Sequence, residues 1–180
     1  VGMVGNPSDG FGGKTLSLLI SNFADSVEIT RDEGGSLTFH GAESGTAVAR
    51  FESFEQFRGC VGNDQWYAEY GEDGGIKLCM ATFSMLLKCL DGVGKTSSTI
   101  VSGFTVKYST TIPRCVGLSG SSAIILSCWK SLLALYDIKL EDLGITKEYL
   151  PSLIMEVERR ELNIAAGLQD RVIQTYGGLV

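Results

Sequence analysis

The 180 residues predict an α+β protein, with strands early in the chain and helices late. Three observations carry that expectation. Phe104, Val106 and Tyr108 alternate with polar residues, as in a strand with one buried face. Ile125, Cys128, Trp129, Leu132, Leu133 and Tyr136 recur at helical spacing across residues 121–136. Val27-Glu-Ile29 and Leu37-Thr-Phe39 flank Asp32-Glu-Gly-Gly35, the pattern of a β-hairpin.

The remaining elements follow in order. Residues 1–5 form a short apolar strand that ends in the turn-rich run Gly5-Asn-Pro-Ser-Asp-Gly10. Leu16, Leu18 and Ile20 fit strand or helix equally, because so short an apolar run does not separate the two periods. Residues 76–90 have helical spacing (Leu78, Met85, Leu86, Cys89) and stop before Asp91-Gly92. Pro113 breaks the strand that leads to it. A last helix is expected over 152–165, placed after Pro151. Val1 falls inside a strand pattern, so a few residues are expected to precede it.

Composition excludes several classes of function. With 44% hydrophobic and 20% charged residues the chain reads as an ordinary globular domain, and no apolar run has the length of a membrane span. No basic segment followed by an apolar stretch opens the chain, so a cytoplasmic location is expected. Net charge is −6 and the lysines and arginines form no dense cluster, which argues against nucleic acid as a partner. Five cysteines, an odd number without Cys-x-x-Cys spacing, read as reduced thiols. His40 is the single histidine, so a Ser-His-Asp mechanism would rest on it alone.

Two Gly-Lys-Thr triplets, at 13–15 and 94–96, lack the preceding glycine of a phosphate-binding Walker loop; Ser8 and Cys89 occupy those positions. The run Gly117-Leu-Ser-Gly-Ser-Ser-Ala123 has stronger chemistry. It joins a strand to an amphipathic helix, its glycines let backbone approach a ligand, and Ser119, Ser121 and Ser122 offer hydroxyls. The first turn of such a helix presents unpaired N–H groups and the positive end of its dipole, which bind phosphate. A serine N-cap at a plain loop-to-helix junction reads equally well. Near the end of the chain, Glu158 and Glu161 lie at helical spacing among Ile154, Val157, Leu162 and Ala165. A carboxylate on that apolar side is paired, binds a metal, or turns out to solvent.

The run Pro113-Arg-Cys-Val-Gly-Leu-Ser-Gly-Ser-Ser-Ala123 resembles the second signature of the galactokinase, homoserine kinase, mevalonate kinase and phosphomevalonate kinase (GHMP) superfamily. In that family this loop grips the ATP phosphates. The resemblance implies nucleotide contacts from Pro113, Gly117, Leu118, Ser119, Gly120, Ser121, Ser122 and Ala123. It implies Mg²⁺ held by Ser121 and Glu158. Val4-Gly-Asn-Pro-Ser-Asp-Gly10 is similar to the family's first signature, a polar substrate loop, and implies sugar contacts from Asn6, Ser8 and Asp9. Asp170, twelve residues after Glu158, matches the family's catalytic aspartate.

The first loop with Gly13-Lys14-Thr15, and Ala165-Ala-Gly-Leu-Gln-Asp-Arg171 with Tyr176-Gly-Gly-Leu-Val180, look most like glucuronokinases. The implied fold is the ribosomal protein S5 domain 2-like N-terminal domain of a GHMP kinase, over residues 1–180. The family's third, glycine-rich signature is absent from these residues, so the C-terminal domain is expected to be missing. The implied activity is ATP-dependent phosphorylation of a sugar at C1, with D-glucuronate as acceptor and UDP-glucuronate synthesis downstream. Galactokinase- or arabinokinase-type specificity, or a truncated nucleotide-binding module, are the alternatives. A uronate carboxylate would need a cation, for which Arg171 or Lys14 is available. Oligomeric state is not legible.

Overall fold

A computed structural model describes residues 1–5, 8–41, 47–63, 66–68, 74–114 and 116–180. Asn6, Pro7 and Cys115 lie outside the described residues. The strands are β1 (Gly2–Val4), β2 (Leu16–Ser17), β3 (Asp25–Asp32), β4 (Leu37–His40), β5 (Ala47–Phe51) and β6 (Gly103–Thr110). The helices are α1 (Phe54–Val61), α2 (Gly74–Gly92), α3 (Thr96–Thr99), α4 (Gly120–Leu135), α5 (Leu150–Glu156) and α6 (Gln169–Tyr176). A π-helical turn, Val157–Glu161, continues α5.

The main sheet has the order β3-β6-β4-β5, and a separate ribbon pairs β1 with β2. The turn after β3 forms as the sequence suggests. Asp32 accepts the Gly34 N–H at 2.8 Å and the Ser36 hydroxyl, and Gly35 takes φ +83°. The expected hairpin does not form. β6 inserts between the two strands, antiparallel to β3 and parallel to β4. Two inter-strand spacings make roughly 10 Å, a gap that a four-residue turn spans. The turn crosses the end of β6 at Gly103, where a Cβ would collide with the Ser36 carbonyl.

One face of the sheet is buried. Phe39, Phe104, Val106 and Tyr108 point inward, while Ser26, Glu28, Lys107 and Ser109 face solvent. α4 packs on β3, α2 packs on β4 and β6, and the two helices pack on each other. Their interior closes around aromatic rings, with Phe39 stacked on Phe57 at 6.1 Å and Phe83 edge-on to Phe104 at 4.8 Å. The two long helices match their sequence pattern closely. The third does not: helical structure stops at Glu161, and the chain from Leu162 runs irregularly to α6, with Asn163 at φ +54°.

The ends of the described chain meet. Ser17 and Val180 exchange backbone hydrogen bonds, and Leu18 bridges Leu179. This contact carries the segment around Ser8–Phe11 against α6. Among the described residues, no helix is long and apolar enough to cross a membrane.

Candidate active site

The segment from β6 to α4 is built to leave a helix end open. Gly117 takes φ +74°, and Ser119, at the N-cap position of α4, takes φ +63° and ψ +39°. A non-glycine residue in that region is strained by about 1–2 kcal/mol and marks a constrained turn. Ser119 makes no side-chain cap, so it accepts none of the first-turn N–H groups of α4. A left-handed residue followed by a helix start forms a concave row of amides suited to an anion. This start opens on a cavity of about 440 Å³ lined by Pro113, Gly117, Leu118, Ser119, Gly120 and Ser121. Gly74 and Gly75, the first residues of α2, form another wall, and Arg114 supplies a cation.

The serines of this loop divide by role. Ser121 is half-buried and lines the cavity. Ser122, expected to offer a hydroxyl, is fully buried and donates that hydroxyl to the Ser119 carbonyl at 3.0 Å. Only its backbone N–H stays at the helix start. Ala123 is buried and lines a smaller neighbouring cavity that also contains Asp25.

Asp170, the second residue of α6, lines a different cavity of about 360 Å³ together with Asp9, Phe11, Arg159, Gly167 and Arg171. Its side chain is 33% exposed, so its carboxylate is reachable. Asp9 reaches the start of α6 from 160 residues away and accepts the Gln169 N–H at 3.0 Å. Gly167 makes room for it, since a Cβ there would lie 2.6 Å from the Asp9 carboxylate. The structure thus brings Asp9 to Asp170. Ser8 turns the other way, its hydroxyl donating to the Lys14 carbonyl at 3.0 Å.

A hydrogen bond links the helix of the second cavity to the loop of the first. Gln174 lies four residues after Asp170 on the same helix face and donates to the Ser119 carbonyl at 3.0 Å. The helix that carries the aspartate therefore rests on the left-handed residue before α4. Sequence reading missed Gln174. Its signal was the i, i+4 spacing from Asp170, which is silent until the partner of that face is known.

Glu158 and Arg171 pair with each other, their side chains 5% and 6% exposed, and Arg171 also lies 3.6 Å from the Asp170 carboxylate. Arg171 also donates to the Gly167 carbonyl at 2.9 Å. Burial pulls the guanidinium down to about 10, with the Asp9 charge opposing, so it stays cationic at neutral pH. A guanidinium in this position is not free for a substrate, and a carboxylate neutralised by it is a poor ligand for a second cation. Glu161 is likewise buried and paired, accepting from Ser84 at 2.8 Å and Lys88 at 2.7 Å. Among the described residues no group of three His, Cys, Asp or Glu side chains could hold a metal ion. Ser121 lines the open cavity, where a nucleotide-bound Mg²⁺ would reach it, whereas the Glu158 carboxylate is engaged by Arg171. Mg²⁺ commonly keeps its waters and leans on substrate phosphates rather than on a protein cage.

Residues 78–178 match the family described as the GHMP kinases N terminal domain, and the chain belongs to that family. It is 35% identical over 182 residues to glucuronokinase 1 of Arabidopsis thaliana, an alignment covering 100% of this chain and 46% of that protein. It is 35% identical to probable glucuronokinase 2 of the same plant, covering 99% of this chain and 44% of that protein. It is 28% identical over 118 residues to D-glycero-alpha-D-manno-heptose 7-phosphate kinase of Campylobacter jejuni, over 62% of this chain and 31% of that one. The chain spans about half the length of the plant relatives it matches. The crystal structure of Methanococcus jannaschii mevalonate kinase superposes with a TM-score of 0.64 over 92% of this chain and 44% of that one. At 17% identity this shows the shared fold.

Proposed function

We propose that residues 1–180 form the nucleotide- and sugar-binding domain of an ATP-dependent sugar-1-kinase whose acceptor is D-glucuronate. The observation that carries this reading is the uncapped start of α4, held through Gln174 to the helix that bears Asp170. The similarity to plant glucuronokinases supports the choice of acceptor.

Phosphoryl transfer asks a protein mainly for positioning and for stabilisation of charge on the phosphoryl oxygens. The amides of Gly120, Ser121 and Ser122 meet the β- and γ-phosphates, with the dipole of α4 behind them. Arg114 adds charge at the cavity wall. The Ser121 hydroxyl would be the protein ligand of a nucleotide-bound Mg²⁺, which would supply neutralisation of phosphate charge. Asp170 accepts the hydrogen of the sugar C1 hydroxyl and orients that oxygen for attack. Asp9 accepts a second sugar hydroxyl while holding the start of α6. The products are glucuronate 1-phosphate and ADP.

The test is ADP release over a panel of D-glucuronate, D-galactose, L-arabinose and D-glucose. Glucuronate-dependent turnover is expected. Turnover with galactose or arabinose alone would move the acceptor to another sugar. Nucleotide binding without transfer to any sugar would leave a binding module.

A further inference from the structure

A uronate entering the cavity of Asp9 and Asp170 brings a third carboxylate beside two others. Like charges in a partly desolvated cavity repel strongly, so such a substrate needs a cation at its C6 end. C6 and the C1 hydroxyl leave opposite sides of the pyranose ring oxygen, so with C1 at Asp170 the carboxylate reaches away from that aspartate.

Among the described residues two cations line the cavity, Arg159 and Arg171. Arg171 is buried and engaged by Glu158 and Gly167. Lys14 is exposed and lies outside the cavity lining. Arg159 is exposed, and among the described residues its guanidinium donates to the Met155 thioether at 3.9 Å and forms no ion pair. Its neighbours are committed: Arg160 pairs with Glu156, and Lys88 pairs with Glu161. Arg159 also lines a second cavity of about 370 Å³, beside Trp66, Tyr67, Lys88 and Arg160. It therefore stands on the wall between the cavity that holds Asp9 and Asp170 and a second one lined by Lys88 and Arg160. The π-helical turn puts it there, because Glu158 and Glu161 of the same turn are drawn inward while Arg159 and Arg160 stay outside. Such turns are frequent at functional sites.

We infer that Arg159 reads the carboxylate of a hexuronic acid, as a two-pronged guanidinium–carboxylate pair that selects uronates over neutral hexoses. The inference rests on the proposed uronate kinase activity and names the residue that sets its specificity.

The experiment compares wild type, Arg159→Gln and Arg159→Lys in steady-state kinetics with D-glucuronate and with D-glucose, each also titrated in ATP. Arg159→Gln should raise KM for glucuronate about 10- to 100-fold, with a much smaller change in kcat and in KM for ATP. KM for glucose should move little, so the preference for the uronate collapses. Arg159→Lys should recover part of it, since lysine keeps the charge and loses the fork. An unchanged KM for glucuronate in Arg159→Gln, or an equal rise for glucose, overturns the assignment of Arg159 and leaves the kinase reading standing. Wild-type protein that transfers to no uronate overturns the glucuronate reading, and this inference with it.

Discussion

The starts of α4 and α6 are built in opposite ways. At α6 the chain supplies its own anion: the Asp9 carboxylate accepts the Gln169 N–H, and Gly167 gives it space. At α4 the N-cap residue is a serine, a good capping type, yet it is held left-handed and caps nothing. A helix start filled by a side chain is a structural joint. A helix start kept empty at the cost of backbone strain is a place for a ligand anion. Gln174 couples the two, so the open end and the filled end belong to one arrangement.

The sharpest way to test that division is at Asp170. Asp170→Asn should lower kcat by about 10²- to 10⁴-fold, the usual range for a general base, while nucleotide affinity stays close to wild type. A matching loss of ATP binding by titration calorimetry would mean that α6 is part of the anion site and the two starts are not distinct. Next in size is the buried pair behind α6. Glu158→Gln removes the nearer carboxylate from the buried Arg171, leaving Asp170 at 3.6 Å and the Gly167 carbonyl, and should cost about 1–3 kcal/mol in denaturant unfolding. A stable variant with altered Mg²⁺ dependence would restore Glu158 as a metal ligand.

Asp9→Ala removes the anion from α6 and should cost about 1 kcal/mol of stability, the value of a lost cap. No change would erase the contrast between the helix starts. Ser119→Gly relieves the left-handed strain at α4 and should raise stability by up to about 1 kcal/mol, partly offset by glycine's extra freedom in the unfolded chain. A fall in stability would mean that Ser119 is held in place by interactions stronger than its strain.

The smallest effect is expected at Asp25, which lines the neighbouring cavity. Burial raises its carboxyl above the usual range, opposed by the Ser127 hydrogen bond and the Lys130 charge. The folded state therefore holds this proton more tightly than the unfolded state. Stability contributed by Asp25 is highest at low pH and falls as pH rises through the interval between the two values. Asp25→Asn should lose that slope and be neutral or slightly stabilising at pH 7, as read from unfolding midpoints across pH 4–7.

Much of the fold was legible because its signals are local. Apolar spacing predicted α2 and α4 to within about two residues, and alternation predicted β6. The strand-to-helix glycine and serine run carried the family resemblance, and residues 78–178 match that family. Both periodicities are properties of a few consecutive residues, so a sequence window contains them. The failures were non-local. Asp32-Glu-Gly-Gly35 made its turn, but a strand more than 60 residues later took the place between β3 and β4. Nothing near the turn encodes that competitor.

The same limit applies at the site. The sequence alone determined which residue types were available: a glycine- and serine-rich helix start, and carboxylates and guanidiniums near the end of the chain. Only the tertiary structure decided their partners. It joined Asp9 to Gln169, enclosed Arg171 with Glu158, turned Ser122 inward and left Arg159 outside. Burial and long-range contact settle whether a charge is spent inside the fold or remains free for a ligand, and neither quantity exists until distant segments pack.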